Sequence, residues 1–177
     1  MNPFNTPPAA TEYALYYHTY VRLIPGDPLV ALRAQPPELR GLLAGLTEEQ
    51  ALLRYAPGKW SIKEMLVHML DTERIFAYRA LRIARGDTTP LPGFEQDDYV
   101  PASGADARPL TDILAEYDTV RAASLSLLES FTTEAVGRQG TASGQPVSVR
   151  ALAYILAGHE AHHLHILQER YLPQLAK

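Results

Sequence analysis

Residues 61–86 read SIKEMLVHMLDTERIFAYRALRIARG, and they decide the architecture. Ser61 followed three positions later by Glu64 is a capping box, the reciprocal pairing that opens a helix. Basic residues and Gly86 close the stretch, as a helix C-terminus requires. Stepping about 100° per residue from Ile62 places Met65, Leu66, Met69, Phe76, Ala80 and Ile83 within about 60° of one line. An apolar stripe that long needs partners of the same kind along its length, so the chain is expected to be a helical bundle.

The flanking segments extend the pattern. Residues 87–109, DTTPLPGFEQDDYVPASGADARP, hold four prolines and show neither helical nor strand periodicity. They predict an unusually long connection, of the kind that forms lids or binding loops. Thr111 is the expected N-cap of a further long helix, TDILAEYDTVRAASLSLLESF. GRQGTASGQPVS is rich in turn residues and admits a small hairpin, and Ser148 caps a last helix that runs to Pro173. Toward the N-terminus, TEEQALLRY opens with a Thr47 to Gln50 capping box and reads as a short helix stopped by Pro57 and Gly58. DPLVALRAQPPELRGLLAGL has helical spacing broken by Pro36 and Pro37, which predicts two consecutive helical pieces. TEYALYYHTYVRL predicts a helix starting at Thr11 and ending before Pro25 and Gly26, and residues 1–10 read as a loose arm. The fold class is therefore all-α: a four-helix bundle over residues 11–177 with a short extra helix and a long connecting loop.

Composition narrows the function. At 177 residues the chain suits one domain, and it contains no cysteine, so thiolate metal sites and cysteine nucleophiles are excluded. The net charge of -4 is spread rather than blocked, which leaves no footprint for nucleic acid or an anionic membrane. No apolar segment approaches the roughly 20 residues that span a bilayer. A cytoplasmic protein with a small-molecule partner is expected; a homodimer is compatible with the sequence, although no stripe demands one.

The stretch GHEAHHLHIL, residues 158–167, gathers four of the six histidines. Counting from Leu152, the residues Leu152, Ile155, Leu156, Ile166 and Leu167 form an apolar stripe, and His159 and His163 fall within about 20° of its centre. By the same count His162 lies about 80° off, at a boundary, and His165 about 140° off, in solvent. A lone inward histidine is more often a hydrogen-bonded core residue than a ligand. Two of them one turn apart can converge on one ion, whereas leaving them bare costs about 1–3 kcal/mol for each unsatisfied nitrogen. A third ligand is needed, with His68, His18, Glu73 and Glu160 as candidates. His68 sits on the flank of its helix, about 120° from the reference line, and Glu73 lies nearer the centre of the stripe.

The same residues spell HExxH, which in metalloproteases supplies two ligands and a general base. The downstream third ligand is missing: the sole side-chain carboxylate after His163 is Glu169, which the helical angle points away from the pair. The pair is better completed from another helix.

Three blocks, PGKWSIKEMLVHMLDTERIFAYRALRIARGD (57–87), the LPGF turn with its acidic successor (91–98) and AGHEAHHLHILQERYL (157–172), together resemble the DinB-like or YfiT-like superfamily of small bacterial helical-bundle proteins. The resemblance covers most of the chain. It implies that one histidine on the second main helix and two on the last, here His68, His159 and His163, hold a divalent metal ion with open positions. Zinc and nickel are the foremost candidates for such imidazole sites. The implied activity is that of a metal-dependent thiol S-transferase, using a low-molecular-weight thiol cosubstrate, or of a hydrolase. The alternative is a non-catalytic, metal-stabilised stress-response or partner-binding bundle.

Other residues are candidates for assistance. Glu160 and His162 adjoin the pair as proton carriers, although a solvated flank is the ordinary reading of both. Glu73 would orient a histidine or form an internal salt bridge, and Asp71 and Arg74 belong to the same block. Trp60 reads as a plug at a helix start. Phe94, Glu95, Asp97, Asp98 and Tyr99 would line the mouth of a site or form an ordered surface loop.

Overall fold

The computed structural model describes residues 3–175; Met1 and Asn2 of the expected arm, and Ala176 and Lys177, lie outside the described residues. In chain order the helices are α1 (His18–Val21), α2 (Pro28–Leu43), α3 (Ile62–Ala84), α4 (Gln96–Ala102), α5 (Leu110–Glu129), α6 (Thr133–Val136), α7 (Val149–Ile166) and α8 (Leu172–Leu175). One antiparallel hairpin, β1 (Gln139–Ala142) and β2 (Gln145–Ser148), precedes α7. The bundle is built from α2, α3, α5 and α7, with α3 and α2 each packed against both α5 and α7. No helix of the described residues is long and apolar enough to cross a membrane.

The expected capping box opens α3: Ser61 Oγ accepts from Glu64 N at 3.0 Å and Glu64 Oε2 accepts from Ser61 N at 2.8 Å. All six stripe residues named for α3 are buried. Ser148 caps α7 as expected, accepting from Ala151 N at 2.9 Å. The hairpin turns on Ser143 and Gly144, both with positive φ, the backbone that a two-residue hairpin loop needs.

Several expectations are corrected. Pro36 and Pro37 do not divide the N-terminal helix, for α2 runs through both. Pro36 lacks the N–H that would bond Leu32 O four residues back. Arg121 Nη1, from α5, supplies the missing donor at 2.8 Å. The helix expected from Thr11 is instead three short turns, Ala10–Glu12, Leu15–Tyr17 and α1. The arm is not loose: Phe4 is 1% exposed and its carbonyl accepts from Tyr154 Oη at 2.9 Å. TEEQALLRY forms a single 3-10 turn, Gln50–Leu52. The connection at 87–109 holds α4 and a turn at Ala105–Ala107, and Leu91 is tied to the hairpin through Thr141 O and Ser143 N. The N-cap of α5 is Pro109 rather than Thr111, and the last rod continues past Pro173 through a π-helical segment, Leu167–Tyr171, into α8.

Glycine explains how α1 reaches the bundle. A Cβ at Gly158 would lie 2.1 Å from the backbone oxygen of Tyr20, so α1 rests directly on the α7 backbone. Gly158→Ala is expected to cost about 1–3 kcal/mol or more, the scale of overpacking against atoms that cannot rotate away; a urea midpoint unchanged from the parent would refute this contact.

Glu12 ties the N-terminal segment to the start of α7, accepting from Ser148 Oγ at 2.7 Å and Arg150 Nη2 at 2.5 Å. Burial alone would raise its pKa, but the bonds from Arg150, Ser148 and the Ala9 backbone more than reverse this and hold it below the usual value of 4.5. A depressed folded-state pKa contributes stability that is fully present above the unfolded value and is lost as pH falls through the folded one. Glu12→Gln should therefore lower stability at pH 7 and flatten its loss below pH 4.5, as read from urea midpoints across that range.

Candidate metal centre

His68 on α3 and His159 and His163 on α7 meet in the buried seam between the two helices, none more than 7% exposed. His159 Nε2 lies 3.0 Å from His68 Nε2 and 3.1 Å from His163 Nε2, and ligand-capable nitrogens of all three fall within 4.8 Å of one another. A neutral imidazole has one N–H and one lone pair, so the His159 nitrogen cannot satisfy two neighbours through hydrogen bonds alone. Nitrogens bound at about 2.0–2.1 Å to a common ion stand about 2.9–3.4 Å apart, depending on the angle between them. The two observed separations fall in that range, so the donor set fits a metal ion.

Electrostatics favours the ligand form. Burial pushes His68 down to about 4. Burial, reinforced by the neighbouring imidazoles, also holds His159 and His163 well below the usual histidine value. All three rings are thus neutral with lone pairs available. His163 Nδ1 is buried with no hydrogen-bond partner among the described residues, so no protein carboxylate orients that ring.

The carboxylates expected near the histidines serve another purpose. Glu73 does not orient a histidine; it forms a two-pronged pair with Arg121, through Nε at 3.0 Å and Nη2 at 2.8 Å. Glu160 is not on a solvated flank: it is 3% exposed and accepts from Tyr117 Oη and Arg121 Nη2. Burial raises the Glu160 pKa against the opposing pull of Arg121. Arg121 also donates through Nη1 to Leu32 O and Gln35 Oε1. One guanidinium therefore joins α2, α3, α5 and α7, and fixes the rotation of the two helices that carry the histidines.

Among the other candidates, His162 is half-buried with its ring 5.5 Å from that of Tyr20, while His165 is exposed. His18 is exposed and bonded to Tyr13 Oη at 3.2 Å, so it is not the third ligand. Arg74 pairs with Glu116 at 2.6 Å and lies 3.9 Å from Asp71. Trp60 does more than plug a helix start, its ring centroid standing 4.6 Å from that of His68. Tyr20, which meets His159 edge-on at 5.4 Å, and Thr72, one turn beyond His68, escaped sequence reasoning. Thr72 could have been found from its i+4 spacing; Tyr20 had no local signal.

Two cavities reach the histidines. One of about 350 Å³ is lined by Trp60, Met65, His163 and Tyr171; another of about 500 Å³ reaches His68 and His159. Gln96 and Asp97 line both, and Phe94 and Glu95 line the larger. Tyr99 packs on Phe94 at 5.4 Å and, like Asp98, lines neither.

The family model described as the DinB superfamily matches residues 31–167. A Geobacillus kaustophilus (strain HTA426) protein named "Putative metal-dependent hydrolase" is 27% identical over 139 residues, 76% of this chain and 77% of that protein. A Geobacillus thermodenitrificans (strain NG80-2) protein of the same name is 25% identical over 139 residues, with the same shares covered. The structure of YfiT from Bacillus subtilis, described as a probable metal-dependent hydrolase with an unusual four-helix bundle topology, superposes with a TM-score of 0.73. It shares 14% sequence identity, over 96% of this chain and 94% of that one. At that identity the likeness is one of fold.

Proposed function

The chain belongs to the DinB superfamily, and from that premise we propose that His68, His159 and His163 hold one divalent ion and that the protein is a metal-dependent enzyme acting on a small molecule. The observation that carries this reading is the convergence of three neutral, buried imidazoles that two cavities reach. When bound, such an ion supplies Lewis acidity and lowers the pKa of a coordinated water or thiol.

The residues around it limit the chemistry. Glu160 cannot serve as the general base of an HExxH protease, because both its oxygens are engaged, one by Tyr117 and the other by Arg121. Glu73 is likewise committed to Arg121. His162, its ring 5.3 Å from that of His163, is the candidate proton carrier although it lines neither cavity, while Trp60 and Tyr20 pack against the rings of His68 and His159. The two cavities adjoin at Gln96 and Asp97 and together leave room for a second organic molecule beside the first, the arrangement a thiol S-transferase would use. A purely structural ion would have a shell closed by protein ligands, and the cavities reaching all three histidines count against that alternative.

The test compares metal-loaded with chelator-treated protein, following consumption of a low-molecular-weight thiol with an aromatic electrophile and, separately, hydrolysis of an ester panel. Thiol consumption only in the loaded protein is expected. Ester hydrolysis alone would assign the hydrolase, and a fully loaded protein inert in both assays would leave the non-catalytic bundle.

A further inference from the structure

The cavity on the His68 and His159 side has walls of a particular kind. Aromatic rings reach it from three parts of the chain: Tyr17 and Tyr20 from the N-terminal turns, Phe76 from α3 and Phe94 from the long connection. The Tyr17 ring stands edge-on to Phe76 at 6.0 Å and lies 6.4 Å from Tyr20. Glu95 and Asp97 line the same cavity; both are exposed, and neither carboxylate has an ion-pair partner among the described residues. Among the described residues no lysine or arginine lines it. Arg79 lies against the Phe76 and Phe94 rings, but it is held by Pro92 O and Ser143 Oγ and lines a neighbouring cavity instead.

A second, independent feature lies deeper. Thr72 is 3% exposed and lines the cavity one turn beyond His68, yet its hydroxyl has no hydrogen-bond partner among the described residues. A helical threonine ordinarily bonds back to the carbonyl four residues earlier. An unpartnered buried hydroxyl beside the histidines is a group awaiting a polar atom from a ligand.

We propose that this cavity takes an organic cation, a molecule with an ammonium group and an apolar body, oriented so that a hydroxyl or amide meets Thr72. The Tyr17 and Tyr20 rings attract a cation through their quadrupoles, and Phe76 and Phe94, which already carry Arg79 against them, cover its apolar substituents. Glu95 and Asp97 select the sign of charge as the molecule enters. The inference rests on the reading that the adjacent histidines hold the ion acting on this molecule.

The experiment titrates metal-loaded protein with three probes by NMR: choline, its neutral isostere 3,3-dimethyl-1-butanol, and tetramethylammonium, which lacks the hydroxyl. Choline should bind about tenfold tighter than the isostere, a preference of the size that a partly desolvated ring cage confers. Glu95→Gln with Asp97→Asn should erase most of that preference without weakening the isostere. Thr72→Val should bring choline down to the level of tetramethylammonium. Equal binding of choline and the isostere, or a preference untouched by the paired rim substitutions, would overturn the proposal. Metal content of the same sample separates the two readings: full loading with no cation preference defeats only this inference, whereas wild-type protein that takes up no metal defeats the ion itself.

Discussion

His159→Ala is expected to take the bound metal from full occupancy to near none. His159 is the shared member of the cluster, its Nε2 within 3.1 Å of both other nitrogens. Without it, one imidazole remains on each helix, too few to hold a divalent ion well. The loss should exceed the roughly 10–100-fold that follows when only the groups around a ligand are changed. His165→Ala, at an exposed position on the same helix, should leave occupancy unchanged and serves as the control. Elemental analysis after dialysis against a weak chelator reads the result, and equal metal in the two variants would remove the site. Because an ion held by these histidines would join α3 to α7, loading should also raise the thermal midpoint of wild-type protein but not of His159→Ala.

Arg121→Met should be the most destabilising single substitution away from the histidines. It strands Glu73 and Glu160, each no more than 5% exposed, without their common cation. Breaking a buried ion pair from one side costs about 3–5 kcal/mol, whereas replacing all its members with apolar residues of similar volume is often neutral. The triple variant Glu73→Leu, Arg121→Met, Glu160→Leu should therefore regain most of the loss. For a chain of this size the single substitution should lower the thermal midpoint by about 6–20 °C. Since burial already raises the Glu160 pKa, acidification neutralises that carboxylate in the folded state first, and the deficit of Arg121→Met should shrink as pH falls. A deficit under about 1 kcal/mol at pH 7 would mean that the carboxylates bear no uncompensated charge.

What the sequence disclosed was what lies within one helix. The capping box of α3 and its stripe depend on residues three and four apart, so they were legible, and so were His159 and His163, inward on one rod. His68 was not selected by angle, because its flank becomes interior only when α7 is laid beside it; the family resemblance supplied it. Glu160 was misread for a related reason. From α7 alone it is a flank, but α5 covers that flank with Tyr117 and Arg121. The double proline looked like a break because its compensating donor lies on α5, and the proline-rich start looked loose because composition does not reveal where Phe4 will lodge.

Apart from Thr72 and Phe76 on α3, the side chains that share the larger cavity with His68 and His159 sit on different pieces of this protein from the histidines. The three histidines ride on long rods clamped by one guanidinium, while Tyr17, Tyr20, Phe94 and Asp97 belong to brief turns and a tethered connection. A combinatorial library confined to Tyr17, Phe94 and Asp97 should therefore reshape the wall of the larger cavity while leaving in place the helices that carry the histidines and the Tyr20 contact with His159.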